Sequence, residues 1–198
     1  QLKNGDRVGL IGHNGSGKTT LLRVLAGIYE PEQGKVRIEG NVAALFDIVG
    51  LGMDPDSTGY EAIVVRGTVF GLSMKEIKQK VNDIADFSEL GDYLHMPIRT
   101  YSSGMAVRLG FAIVTSIHPD ILLLDEVVGA GDAAFIKKAE KRLERFVGAA
   151  NILVLASHST DVLERFCDTG IVLQHGEIAM TGKIGDAVKY YTESVRTQ

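Results

Sequence analysis

"GHNGSGKTT", Gly12 to Thr20, decides how the rest of this chain is read. It satisfies G-x-x-x-x-G-K-[ST] at every position, and its flanks supply the context that the motif requires. Upstream, "RVGLIG" (Arg7 to Gly12) is a short apolar run entering a glycine turn, the pattern of a buried strand. Downstream, Leu21, Leu22 and Leu25 recur at helical spacing from Thr19 until Gly27 marks the end. Glycines in such a loop let the backbone N–H groups from Gly12, His13, Asn14, Gly15, Ser16 and Gly17 turn inward around phosphate oxygens. The helix that starts there adds the positive end of its dipole. Lys18 is expected to reach the β- and γ-phosphates, and Thr19, followed by Thr20, to present a hydroxyl to Mg²⁺. The stretch predicts a nucleoside triphosphate site.

Such a loop needs a carboxylate to hold the metal, and the chain offers one at the end of "ILLLD". Asp125 is expected at the carboxyl end of a strand, where ligands bind in open α/β sheets. Glu126 follows on the other side of that strand and is the candidate general base for a water attacking the γ-phosphate. "NILVLASH" ends in His158, which should emerge on the same edge as a donor toward the γ-phosphate. Before the acidic strand, "YSSGM" (Tyr101 to Met105) opens a helical pattern, and Ser102, Ser103 and Gly104 put a hydroxyl and backbone amides at a helix N-terminus suited to a phosphate.

The remaining pattern alternates strand and helix. "GKVRIEG" (Gly34 to Gly40) alternates Val36 and Ile38 with charges, as a half-exposed strand should. Residues 46–59 are rich in Gly, Asp and Pro and read as loop. Ser73 with Glu76 forms a capping box ahead of a face traced by Ile77, Val81 and Ile84. Ile136, Leu143 and Val147 line a later amphipathic helix, "TGIVLQHGEIAMTG" reads as a hairpin turning at His175-Gly176, and a last helix starts near Ile184. The pattern predicts an α/β fold with a mainly parallel sheet, residues 1–49 and 116–198 forming the core and residues 50–115 an inserted α-helical subdomain.

Composition narrows the partners. The 198 residues carry a formal charge of −4, which counts against a nucleic-acid partner bound by phosphate neutralisation. Cys167 is the only cysteine, so an internal disulfide and a cysteine-built zinc site are excluded. No apolar run reaches the length that crosses a bilayer, so membrane contact is expected only through a partner.

Gly12–Thr19, Ser102–Gly104, Asp125–Glu126 and His158 occur in the order and approximate spacing of the nucleotide-binding domain of ABC ATPases, and the chain resembles that family. The resemblance implies ATP with Mg²⁺, held by Thr19 and Asp125, and catalysis by Glu126 and His158. It also implies that Ser102–Gly104, a variant of the family's Leu-Ser-Gly-Gly-Gln signature, contacts ATP on a second copy of the chain. Arg108 is then a structural arginine after the signature, and Gly131 and Asp132 fall at the family's D-loop. "YSSGMAVRLGFAIV", "LLLDEVVGAGDAAFIKKA" and "GLGMDPDSTGYEAI" are similar to ATPase subunits that export bacterial O-antigen, teichoic acid or capsule. That resemblance implies a homodimer on the cytoplasmic face of the bacterial inner membrane, peripheral and bound to permease subunits through the loop near Leu51–Tyr60 and the helical insert. The alternatives are an ABC ATPase for another substrate, a soluble ABC ATPase, or a nucleotide-gated binding module.

Two positions depart from the family pattern. Between Gln33 and Gln79 there is no glutamine for the loop that usually supplies one to the metal and the attacking water. Asp47 is the nearest polar residue, and it stands either as a water-mediated metal contact or as an ordinary loop aspartate. The chain also begins at Gln1, just before "KNGD", so the family's adenine-stacking aromatic is expected upstream of this sequence.

Overall fold

The structure, a computed structural model, describes residues 1–46, 53–125 and 133–196. Contacts divide the chain into two units. One holds Gln1–Phe46, Pro119–Val127 and Ala150–Gln198, and the other holds Asp47–His118 and Val128–Ala149.

The first unit is an α/β layer. Strands β1 (Arg7–Ile11), β2 (Val42–Leu45), β3 (Ile121–Asp125), β4 (Ile152–Ala156), β5 (Thr169–Gln174) and β6 (Glu177–Lys183) form a six-stranded sheet in the order β2-β3-β4-β1-β5-β6. All pairings are parallel except β5 with β6. The register pairs Leu10 with Ala156 and Asp125 with Ala156, so β1, β3 and β4 finish along one edge. These central strands read as unbroken apolar runs because helices cover parallel sheets on both faces. Val8, Leu10, Leu22, Leu123, Val154 and Ala156 make one buried cluster, with Leu22 supplied by α1 (Lys18–Leu25). Each such fully buried aliphatic side chain larger than alanine contributes about 1.5–3 kcal/mol. Helices α6 (Thr160–Phe166) and α7 (Ile184–Arg196) complete the unit, α7 against β5 and β6.

The hairpin expected at His175-Gly176 is present. His175 has φ 51° and Gly176 φ 84°. Two successive positive φ values are those of a type I′ turn, whose twist matches that of the flanking strands.

The strand expected at residues 34–40 is not formed. The sheet edge is β2, further along, while Val36 and Ile38 are 41% and 38% exposed. Alternation assigns faces to a segment, but a strand also needs a ladder partner, and 35–39 has none among the described residues.

The second unit is helical: α2 (Gly59–Val69), α3 (Met74–Ser88), α4 (Ser103–Val114) and α5 (Ala133–Ala149). The capping box expected at Ser73 and Glu76 closes α3 on its amino side, and Ile77 and Ile84 are buried on the expected face. A second box, Thr58 with Glu61, starts α2. Its T-x-x-E signature stands in "STGYE", which overlaps the end of the stretch expected as loop.

Helix α5 departs from the expected division, which put all of residues 116–198 in the core; its contacts group it with the helical unit. The reason lies in its side chains. Lys138 Nζ donates to Phe87 O at 3.1 Å and to Glu89 Oε1 at 2.6 Å. Arg142 forks onto Asp83, donates from Nε to Thr115 Oγ1 at 2.7 Å, and lies 4.4 Å over the Phe87 ring. Phe135 meets Phe87 and Phe111 edge-on at 5.5 and 6.3 Å. These contacts cap the carboxyl ends of α3 and α4 with cations, as their dipoles favour.

No helix among the described residues is long and apolar enough to cross a membrane.

Candidate functional site

The Gly12–Thr20 loop joins the carboxyl end of β1 to the start of α1, so the positive end of the α1 dipole lies at the loop. Gly15 and Gly17 hold φ of 80° and 102°, a region that disfavours any side chain, and Gly17 is the N-cap of α1 without a side-chain cap. The first-turn N–H groups of α1, those of Thr19 and Thr20 among them, have no intrahelical acceptor. Gly12 is required for a different reason: a Cβ there would lie 2.4 Å from Leu173 O and 2.4 Å from Ser16 Oγ.

Three side chains complete the cradle. Lys18 is 7% exposed, and its ammonium donates to Gly12 O at 2.6 Å and His13 O at 3.0 Å. Thr19 Oγ1 donates to Asp125 Oδ2 at 2.6 Å, bringing the hydroxyl and the carboxylate expected to share a metal together. Ser16 is fully buried, and its Oγ has no hydrogen-bond partner. A buried polar atom of this kind is costly, and a phosphate oxygen would supply the partner it lacks. These features fit the groups that the sequence implies: an orphaned hydroxyl and the uncapped first turn of α1 for phosphate oxygens, and hard oxygen donors on Thr19 and Asp125 for Mg²⁺.

The β5–β6 turn is docked on this loop. Gly176 N donates to Ser16 O at 3.1 Å, and the His13 and His175 rings lie 5.3 Å apart. Along the sequence His175 is marked only as a turn residue, because nothing in its neighbourhood along the chain relates it to His13.

His158 stands two residues beyond β4, exposed, on the sheet edge that also carries the loop and Asp125. In the second unit Ser102 is the N-cap of α4, its Oγ accepting from Met105 N at 3.2 Å, with Ser103 and Gly104 in the first turn. Tyr101 anchors that helix head through its hydroxyl, which donates to Tyr93 O at 2.5 Å, and burial raises its phenol above the ordinary range. Beside it, Glu89, Leu90, Tyr93, Gly104, Met105 and Arg108 surround a cavity of about 400 Å³ with Ser102 on its wall. Arg108 pairs with Glu89 at 3.3 Å and lies 4.8 Å over the Phe135 ring, a structural contact. Asp47, Glu126, Gly131 and Asp132 lie outside the described residues.

Residues 1–129 match the ABC transporter family. The chain belongs to that family. Its fold is the ABC ATPase fold: a solved ATP-binding subunit of an ABC transporter superposes with a TM-score of 0.78 at 24% identity, covering 96% of this chain and 83% of that one. This ABC ATPase domain is 49% identical to the O-antigen export system ATP-binding protein RfbE of Yersinia enterocolitica, over 90% of this chain and 74% of the relative. It is 39% identical to the O-antigen export system ATP-binding protein RfbB of Myxococcus xanthus, over 98% of this chain. The teichoic acids export ATP-binding protein TagH of Bacillus anthracis is 36% identical over 99% of this chain. The chain spans only 44% of that RfbB and 35% of that TagH. ABC ATPases bind ATP, and the stretch that matches the family, residues 1–129, contains the Gly12–Thr20 loop.

Proposed function

We propose that this ABC ATPase is the ATP-hydrolysing subunit of an exporter of bacterial cell-surface polysaccharide, O-antigen, teichoic acid or capsule. In this reading it works as a homodimer bound to permease subunits at the cytoplasmic face of the inner membrane. The observation that carries the catalytic half is the 2.6 Å bond between Thr19 Oγ1 and Asp125 Oδ2 at the mouth of the phosphate loop. The export half draws its support from relatives named for O-antigen and teichoic-acid export.

The residues divide the work as follows. The amides of Gly12 to Thr20 and the ammonium of Lys18 orient the triphosphate and neutralise its β- and γ-oxygens. Thr19 and Asp125 would hold Mg²⁺, which when bound withdraws charge from those oxygens. Glu126 takes a proton from water as the water oxygen bonds to the γ-phosphorus. The bond from that phosphorus to the β–γ bridging oxygen breaks, leaving ADP and inorganic phosphate. His158 donates to a γ-phosphate oxygen and so distinguishes the triphosphate from the diphosphate. Ser102, Ser103 and Gly104 present the start of α4 to the γ-phosphate held by a second copy. That reading makes Glu89, Tyr93 and Met105 the wall of the same pocket.

Two measurements test this. Glu126→Gln should retain ATP binding and abolish phosphate release, and undetectable turnover in the parent chain with intact ATP binding would favour a nucleotide-gated module instead. The full-length protein recovered from detergent-solubilised membranes should bring a polytopic permease, identified by mass spectrometry. Recovery only in the soluble fraction with nucleic acid or ribosomes would overturn the export reading and leave the ATP site standing.

A further inference from the structure

The β5–β6 turn brings a second histidine to the phosphate loop. The ring planes of His13 and His175 are inclined at 58° with centroids 5.3 Å apart, so the two imidazoles are close without being stacked. His13 Nδ1 lies 2.7 Å from Asn14 O. A carbonyl only accepts, so Nδ1 carries the proton, and in the neutral ring Nε2 keeps its lone pair. Metal-ligating imidazoles are typically oriented in this way, one nitrogen donating to a backbone carbonyl and the other left for the ion. Neither nitrogen of His175 has a hydrogen-bond partner among the described residues.

We propose that His13 and His175 form a two-imidazole site for a borderline divalent transition metal such as Zn²⁺, separate from the Mg²⁺ position at Thr19 and Asp125. The spacing fits. Two imidazoles on one tetrahedral ion, with N–metal bonds of about 2.0–2.1 Å, have ring centroids about 5 Å apart. The chemistry separates the two sites: Mg²⁺ takes oxygen ligands, whereas imidazole suits zinc, copper and nickel. Both ligands are also held by backbone. His13 sits in the phosphate loop, and His175 occupies the first corner of a turn whose next N–H, that of Gly176, donates to Ser16 O at 3.1 Å. Among the described residues no group of three or more His, Cys, Asp or Glu converges on a common point. Two protein ligands leave positions open to water or to phosphate oxygens, and the site binds more weakly than a four-ligand structural zinc. An ion there ties the phosphate loop to the hairpin and links metal occupancy to nucleotide affinity.

The test titrates ZnCl₂ into the full nucleotide-free chain by calorimetry and follows the imidazoles by ¹H–¹⁵N spectroscopy. The expected result is one zinc per chain, with the His13 and His175 resonances shifting and those of His95, His118 and His158 unmoved. Mg²⁺ at the same concentration should shift none of them. His175→Asn, a residue that tolerates the left-handed turn geometry, should weaken zinc binding at least tenfold, while His118→Gln should not. Lower pH should weaken binding further, because zinc requires neutral imidazole. Zinc affinity unchanged in His175→Asn, zinc shifts confined to the other histidines, or no binding at all would each overturn the proposal. Thermal melts of His175→Asn without metal separate a loss of ligand from a loss of fold.

Discussion

Thr19 Oγ1 donates a 2.6 Å hydrogen bond to Asp125 Oδ2, joining the first turn of α1 to the carboxyl end of β3. The bond spans 106 positions of sequence and binds the two halves of the expected metal site together. It also orients a hydroxyl that is otherwise free to rotate.

Asp125→Asn tests what that carboxylate supplies. The amide can still accept from Thr19 but brings no negative charge to a cation. ATP affinity measured without Mg²⁺ should change little, and the gain on adding Mg²⁺ should largely disappear. Turnover should fall on the order of 10²-fold or more, as loss of several kcal/mol of metal-derived stabilisation requires. Calorimetric titration with and without Mg²⁺, alongside phosphate release, checks both arms.

Ser16 and Gly12 should respond in opposite directions. An unpaired buried hydroxyl costs about 1–3 kcal/mol, so Ser16→Ala should stabilise the nucleotide-free chain by roughly 1 kcal/mol while weakening ATP binding. Gly12→Ala drives a methyl into Leu173 O and Ser16 Oγ and should destabilise by about 1–3 kcal/mol. Urea denaturation with and without ATP distinguishes the two.

In the helical unit, the Arg142 guanidinium forks onto Asp83 and holds its carboxyl below the ordinary value of 3.8. A carboxyl depressed in the folded state adds stability above its unfolded value, and that stability is lost as pH falls through the folded value. Arg142→Met should therefore cost about 1–2 kcal/mol at neutral pH, through lost charge-assisted bonds and the lost Phe87 contact. The part due to Asp83 should fade below about pH 4 in urea melts run across pH, leaving the Phe87 and Thr115 contributions.

Cys167 is 4% exposed, and burial pushes its thiol up to about 12. It should be inert to aromatic disulfide reagents at neutral pH in the folded chain and react fully in denaturant. Rapid labelling of the native chain would contradict this burial.

The phosphate loop was legible because its physics is local. Glycines, a lysine and a threonine at fixed spacing between a strand and a helix specify the loop conformation without help from distant residues. The same holds for the box at Ser73 and Glu76, where each side chain satisfies an amide three positions away. The Thr58 and Glu61 box carries the same signal, hidden only by the turn-rich composition before it.

What the sequence by itself determined about this protein is the α/β class, the apolar runs of the central strands, the hairpin at His175-Gly176 and the glycine-rich loop that joins β1 to α1. Tertiary structure alone decided the rest. Val36 and Ile38 alternate like a strand, but a ladder partner is a property of another segment. The face of α5 bearing Lys138 and Arg142 found its carbonyls and carboxylates on α3 and α4, not along its own sequence. His13 met His175 only when the β5–β6 turn folded back onto the loop, where Ser16 Oγ is buried without a partner. Periodicity and caps act over a few residues and are written in order along the chain. Pairing, burial and the meeting of two side chains depend on the folded path between them.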